Sequence, residues 1–149
     1  MGAMTTVHAW DDFSLEALPG LAQQMAEALP MTGVVAVHGP MGAGKTTLIR
    51  ALLQAWEVEE HAASPTFGLV HHHQVTRNGR STEVRHMDLY RLADEEEAER
   101  SGIADMLHDP VLTLVEWPER IPGLMPDDAW MVRLVPVDGG GRSCILSHL

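Results

Sequence analysis

Across residues 18–29 the apolar side chains Leu18, Leu21, Ala22, Met25, Ala28 and Leu29 recur every three or four positions, which predicts a helix with one buried face. Pro19 suits its first turn, where a missing backbone N–H costs nothing. Residues 34–37 form a short β-branched apolar run that ends just before Gly39, the pattern of a strand covered on both faces. Helical spacing returns over residues 45–56, with Leu48, Ile49, Leu52 and Leu53 on one side. Between residues 67 and 90 the period changes to that of strands, and Asn78-Gly79 predicts a tight hairpin turn between two of them. Residues 94–101 are acidic and helix-favouring, with Gly102 as a stop. A second buried strand follows at residues 111–115, and residues 130–137 and 143–146, joined through Asp138-Gly139-Gly140-Gly141, predict a terminal hairpin. The elements together predict an α/β fold: a mixed, partly parallel sheet flanked by helices, its parallel part centred on the strands before Gly39 and Glu116.

Length and composition narrow this picture. A chain of 149 residues can bury its own core, and without repeats, low-complexity tracts or linkers, residues 1–149 are expected to form one domain. Residues 1–4, Met-Gly-Ala-Met, read as an added remnant ahead of a natural start at Met4. The single cysteine, Cys144, cannot form an internal disulfide, and neither a twenty-residue apolar run nor a cleavable leader is visible, so a reduced cytoplasmic protein with no membrane partner is expected. The net charge of -11, from 10 Lys+Arg against 21 Asp+Glu, repels a polyphosphate backbone. Tight direct binding of nucleic acid is therefore disfavoured, and a basic partner, or a nucleic acid held by another subunit, suits the charge better.

The strongest chemical signal is the run Gly39-Pro40-Met41-Gly42-Ala43-Gly44-Lys45-Thr46, a Walker A pattern placed between a predicted strand and a predicted helix. Backbone N–H groups converge on phosphates at such a helix N-terminus, where the macrodipole also favours anions. This makes the fold a P-loop NTPase and Gly39, Met41, Gly42, Ala43, Gly44, Lys45, Thr46 and Thr47 the candidate nucleotide-binding residues. Lys45 would neutralise the β- and γ-phosphates, and the Thr46 hydroxyl would be a magnesium ligand. Such a loop needs a second acid at the end of a neighbouring strand. Glu116, which closes the apolar run 112–115, is the first candidate, and Asp88, which ends the strand through Val84 and His86, is the second. Either acid could instead cap a turn or a helix.

Beyond the loop, Ser64-Pro65-Thr66-Phe67, His86-Met87-Asp88-Leu89-Tyr90-Arg91-Leu92 and Leu114-Val115-Glu116-Trp117-Pro118 follow in this order. Together with the Walker A run they resemble the TsaE (YjeE) family of small bacterial ATPases, strongly over residues 39–117 and more weakly through Gly141-Arg142. The resemblance implies an accessory ATPase that works with the subunits TsaD and TsaB to install threonylcarbamoyl on adenosine 37 of tRNAs reading ANN codons, with the transfer itself performed by TsaD. It implies ATP and Mg2+ as cofactors, with tRNA met mainly through the partner complex. Residue by residue, it makes Lys45 and residues 42–47 phosphate-binding, Thr46 and Glu116 magnesium-coordinating, and Lys45, Asp88 and Glu116 catalytic, with Asp88 orienting or deprotonating the attacking water. It also implies a mobile switch at Ser64, Pro65 and Thr66, and nucleotide contacts from Arg142 and from Asp11 or Asp12; because such segments order around a γ-phosphate, Pro65 and Thr66 are expected to present nucleotide state to the partner. Met41 and Met87 depart from the residues usual at those places but keep an apolar side chain.

Several features stay open on sequence alone. Trp117, beside Glu116, would report nucleotide by its fluorescence and face the partner if it lies at the site, or else simply packs in the core. Strand alternation places His71 and His73 on one face, either as surface histidines or as part of a metal site. The acidic run 94–97 suits a helix N-terminus better than a metal cluster. With few basic residues the arginine-rich lid of a small-molecule kinase is missing, and without an Asn-Lys-x-Asp guanine reader ATP is preferred to GTP. A non-hydrolysing nucleotide-sensing adaptor differs from an ATPase only in whether hydrolysis is needed.

Overall fold

In the computed structural model, which describes residues 3–60 and 65–149, seven strands among the described residues join into one sheet ordered β1-β7-β6-β2-β5-β4-β3. Its centre is the predicted parallel core. Strand β2 (Val34–His38) pairs in parallel with β5 (Leu112–Glu116) on one side and with β6 (Trp130–Pro136) on the other, and β5 pairs in parallel with β4 (Arg80–Asp88). Strands β3 (Val70–Arg77) and β4 form the antiparallel hairpin, turned by Asn78 and Gly79 with φ of 53° and 76°. Two consecutive positive-φ residues match the right-handed twist of the strands, which is why Asn-Gly marks this turn. The terminal hairpin of β6 and β7 (Arg142–His148) also forms as expected.

Helices α1 (Leu18–Ala28) and α2 (Lys45–Ala55) cover one face, where Leu21, Met25, Leu48, Ile49 and Leu52 meet Val35, Val37, Leu114 and Val132 in one apolar cluster. Full burial of each such side chain contributes about 1.5–3 kcal/mol. The opposite face is covered by α3 (Glu95–Ser101), α4 (Ile103–Met106) and the segment around Ile121, over Val34, Met87 and Val115. The acidic run caps α3: Asp94 accepts from the N–H of Glu97 at 2.9 Å while Glu97 accepts from the N–H of Ala93 at 3.0 Å. The first bond satisfies a donor that the helix start leaves open, and the second ties the chain just ahead of the cap to the helix. Gly102, with φ of 90°, ends α3 as predicted.

Strand β1, helix α4 and the short 3-10 turns at Leu15–Ala17 and Pro118–Arg120 escape the sequence reading. Strand β1 (Thr5–Phe13) is an edge strand antiparallel to β7, broken by register shifts after Thr6 and after Trp10. Nearly all of it is exposed, so it lacks the inward-outward alternation that marks a half-buried strand. The one-turn helix α4 follows α3 directly and is too short to carry a periodic signal.

Cys144 lies on β7 in the first cluster, and burial pushes its thiol up to about 12. A thiol reagent at pH 8 is therefore expected to leave the native chain unmodified and to label it only after denaturation. Rapid labelling of the folded chain would mean that β7 opens far more readily than a central strand.

Candidate functional site

The Walker A run bridges the end of β2 and the start of α2. Gly42 and Gly44 adopt φ of 79° and 100°, a left-handed backbone open to glycine and strained for other residues. Gly39 is needed for a different reason, because a Cβ there would stand 2.6 Å from the carbonyl oxygen of Leu134 on β6. No side chain caps the N-terminus of α2, whose first residues Lys45, Thr46 and Thr47 line the cleft described below, so the donors that a helix start leaves unpaired are available at its wall. Arg142 secures the loop from the far side. Its Nε donates to the carbonyl of Ala43 at 2.9 Å, and its terminal nitrogens reach the carbonyls of Gly140, Gly141 and Gly42 at 3.3, 3.1 and 3.5 Å. These bonds anchor the loop's carbonyls, while the Ala43 N–H donates back to the carbonyl of Pro40 at 3.1 Å and tightens the turn.

Lys45 is buried, its Nζ donates to the carbonyl of Gly39 at 2.7 Å, and the ammonium lies 3.5 Å from the centre of the Trp117 ring. Burial pulls the ammonium below its ordinary pKa, against the pull of the carboxylates of Glu116, Glu119 and Asp88. The Thr46 hydroxyl donates to the Glu116 carboxylate at 2.9 and 3.1 Å. Glu116 ends β5 only 2% exposed and also meets His86 Nε2 at 2.5 Å. Burial pushes its carboxyl up, but the hydrogen bond and charge of His86, the Thr46 bond and the Lys45 charge outweigh burial and hold it below the usual carboxylate range.

Asp88 stands level with Glu116 across the β4–β5 pairing and accepts from the N–H of Tyr90 at 3.2 Å. Both candidate acids thus sit at the same edge of the sheet, half-buried Asp88 beside buried Glu116. Trp117 is in the left-handed region, with φ of 59°, and its ring meets that of Tyr90 at 5.1 Å. A bulky residue so placed signals backbone strain, of the kind that concentrates at functional sites. Together Met41, Gly42, Lys45, Thr46, Thr47, Asp88, Tyr90, Glu116 and Trp117 line a cleft of about 400 Å³.

A second cleft of about 360 Å³ opens on the other side of the loop, lined by Phe13, Leu15, Leu18, Leu134 and Arg142 together with Gly42, Ala43, Gly44 and Thr47. Asp12 lines neither cleft: its carboxylate lies against Gly141, close enough that a Cβ there would collide with it, and its N–H reaches Ser143 at 3.4 Å. Of the switch candidates, Ser64 falls outside the described residues. Pro65 and Thr66 begin a tight turn in which Thr66 exchanges backbone bonds with Val70 at 2.8 and 3.0 Å. The Thr66 hydroxyl also bonds His72 Nε2 at 2.9 Å.

His71 and His73 do share a face, with ring centres 6.4 Å apart, and among the described residues no group of three or more His, Cys, Asp or Glu side chains is placed to hold a metal. The residue that sequence reasoning passed over is His86. Its signal was only partial: alternation along β4 puts His86 on the face of Asp88, but the parallel register with β5 that sets Glu116 on that face is seen only in the structure.

Residues 13–143 match the model of a protein family described as Threonylcarbamoyl adenosine biosynthesis protein TsaE. The chain is 38% identical over 123 residues to the tRNA threonylcarbamoyladenosine biosynthesis protein TsaE of Haemophilus influenzae, covering 75% of each chain. It is 32% identical over 136 residues to the protein of the same name from Rickettsia bellii, covering 91% of each. The corresponding Mycobacterium tuberculosis protein is 36% identical over 104 residues, which span 66% of this chain and 61% of that one. Among solved structures, that of Bacillus subtilus YdiB superposes with a TM-score of 0.75 over 99% of this chain and 88% of that one, at 18% identity, a likeness of fold.

Proposed function

The chain belongs to the TsaE family, whose name places it in tRNA threonylcarbamoyladenosine biosynthesis, and from that premise we propose that it is a magnesium-dependent ATPase subunit of slow intrinsic turnover. In this reading it works in the cytoplasm with TsaD and TsaB, and supports modification of adenosine 37 in tRNAs that read ANN codons. Among the described residues no helix is long and apolar enough to cross a membrane.

One observation carries the reading: the open N–H groups at the start of α2, the Lys45 ammonium and the Thr46–Glu116 pair converge on one cleft. The donors and the ammonium suit an anion, and the left-handed glycines let the backbone approach it closely. The bond from Lys45 to the Gly39 carbonyl is one that a phosphate oxygen would replace with a stronger, charge-assisted partner.

Thr46 and Glu116 are the residues that would hold magnesium, which when bound neutralises charge on the phosphate oxygens. A hydroxyl and one carboxylate are too few to retain the ion alone, in keeping with magnesium that enters with the nucleotide and keeps phosphate and water ligands. Asp88, beside Glu116, is the acid placed to orient or deprotonate the attacking water. Arg142 keeps the loop in shape, and the second cleft, walled by Phe13, Leu18 and Leu134, offers apolar surface for the base. Pro65 and Thr66, in the turn that leads into β3, and Trp117 at the cleft wall are the residues that would report nucleotide state to the partner.

The test is ATP hydrolysis by the purified chain, alone and with TsaD, TsaB and substrate tRNA. Slow hydrolysis by the free chain that the partners accelerate is the expected result. A rate indifferent to the partners, with phosphate passed instead to a small molecule, would replace this reading with that of a kinase.

A further inference from the structure

The chemistry above leaves unused three histidines on the sheet face that carries Glu116. His86 is 9% exposed and lies against a carboxylate that is 2% exposed. Its Nε2 stands 2.5 Å from Oε2 of Glu116, while the Thr46 hydroxyl reaches Oε1 at 2.9 Å and Oε2 at 3.1 Å. An ionised carboxylate only accepts, so Nε2 carries the proton of this bond. The carboxylate is therefore gripped at Oε2 by His86 from the neighbouring strand, while the Thr46 hydroxyl on the loop side spans both oxygens and stands nearer Oε1.

The grip is itself braced. Register pairs His71 with His86 across β3 and β4, and alternation keeps His73 on the same side. The His71 ring stacks on His86 at 5.6 Å and 24°, and His73 stacks on His71 at 6.4 Å and 15°. A single hydrogen bond leaves an imidazole free to rock about it, whereas a ring stacked on its face loses that freedom.

We propose that His86 is a positioning residue that fixes the Glu116 carboxylate, leaving Oε1 directed at the place where Thr46 and Glu116 converge, with the His71 ring holding His86 in plane. This rests on the reading of Thr46 and Glu116 as the magnesium-holding pair. Carboxylates that bind a metal depend on such hydrogen-bonded partners, whose loss typically costs about 10–100-fold in metal affinity. If the three rings were mere packing, their removal would lower stability and leave the dependence on magnesium untouched.

The experiment titrates ADP into the full chain with and without magnesium, for wild type, His86→Ala, His86→Gln, His71→Ala, Glu116→Gln and the double variant His86→Ala with Glu116→Gln. Metal-free ADP affinity serves as the check that each variant retains a folded loop. We expect the enhancement of ADP binding by magnesium to fall by about tenfold or more in His86→Ala. His86→Gln, whose amide N–H reaches much as Nε2 does, should restore most of it, and His71→Ala should show a smaller loss of the same sign. Because His86 acts through Glu116, the double variant should lose no more than Glu116→Gln alone.

Full magnesium enhancement in a folded His86→Ala chain, or losses that multiply in the double variant, would overturn the inference. A wild-type chain whose ADP affinity ignores magnesium would overturn the Thr46–Glu116 reading as well, so the two failures are told apart by the wild type alone.

Discussion

Replacing Lys45 by alanine is expected to weaken ATP binding by roughly tenfold to 150-fold, the loss of a charge-assisted hydrogen bond worth about 1.5–3 kcal/mol. Hydrolysis should fall further, by about 10²-fold or more, because a cation aimed at charge that develops in the transition state contributes most there. The free chain should keep its fold. Lys45 donates to the Gly39 carbonyl and rests on Trp117, yet its ammonium is buried enough to be pulled below its ordinary pKa. Removing it gives up one hydrogen bond and one ring contact while relieving a desolvated charge. These changes oppose each other, and a net change within about 1 kcal/mol moves the melting temperature of a chain this size by about 2–4 °C. Equilibrium binding and thermal unfolding of the same sample separate the two effects. Unaltered ATP affinity in a folded Lys45→Ala chain would remove the phosphate site from this loop.

The loop was legible in the sequence because its specification is local. Four residue types at fixed spacing sit between a β-branched run and an amphipathic helix, and the glycines fall where the backbone turns left-handed, at Gly42 and Gly44. The α/β core was legible for the same reason, since buried strands such as Val34–His38 and Leu112–Glu116 are apolar throughout. What the sequence withheld depends on register and on distant approach. The bonds from Arg142 to the carbonyls of Ala43 and Gly42 join residues about a hundred positions apart, and resemblance alone placed that arginine near the nucleotide. Gly39 resembles any turn glycine until β6 is seen to run its carbonyl against it. The exposed edge strand β1 offers no alternation, so neither it nor the cleft wall that Phe13 supplies could be read.

The acids show the same division. The sequence put Asp88 and Glu116 each at a strand end but left open how they stand to one another. The parallel register of β4 and β5 sets them side by side, and the same register brings His86 onto Glu116, a contact no spacing in the sequence encodes. Trp117 is likewise resolved only in three dimensions, where its ring lies over the Lys45 ammonium at the cleft wall while part of it packs against the second cluster. One side chain thus packs in the core and borders the cleft at once.

Replacing Glu116 by glutamine should differ from Lys45→Ala in metal-free binding and resemble it in rate. Glutamine keeps the shape of the side chain and an acceptor for Thr46, but it removes the negative charge that faces Lys45 and the loop. Without metal, that charge repels a triphosphate held at the same cleft, so metal-free ATP is expected to bind Glu116→Gln at least as tightly as wild type. With magnesium the order reverses, because the carboxylate that would hold the ion is gone and the gain from the metal shrinks. Hydrolysis should fall by about 10²–10³-fold, the scale on which losing one preorganised electrostatic group acts. Lys45→Ala weakens ATP with and without metal, whereas Glu116→Gln separates the two conditions, so four binding curves and two rates identify which charge serves phosphate and which serves magnesium. Should Glu116→Gln weaken metal-free ATP as strongly as Lys45→Ala does, the glutamate would be holding the loop together rather than a metal, and Asp88 would become the first candidate for the magnesium-holding acid.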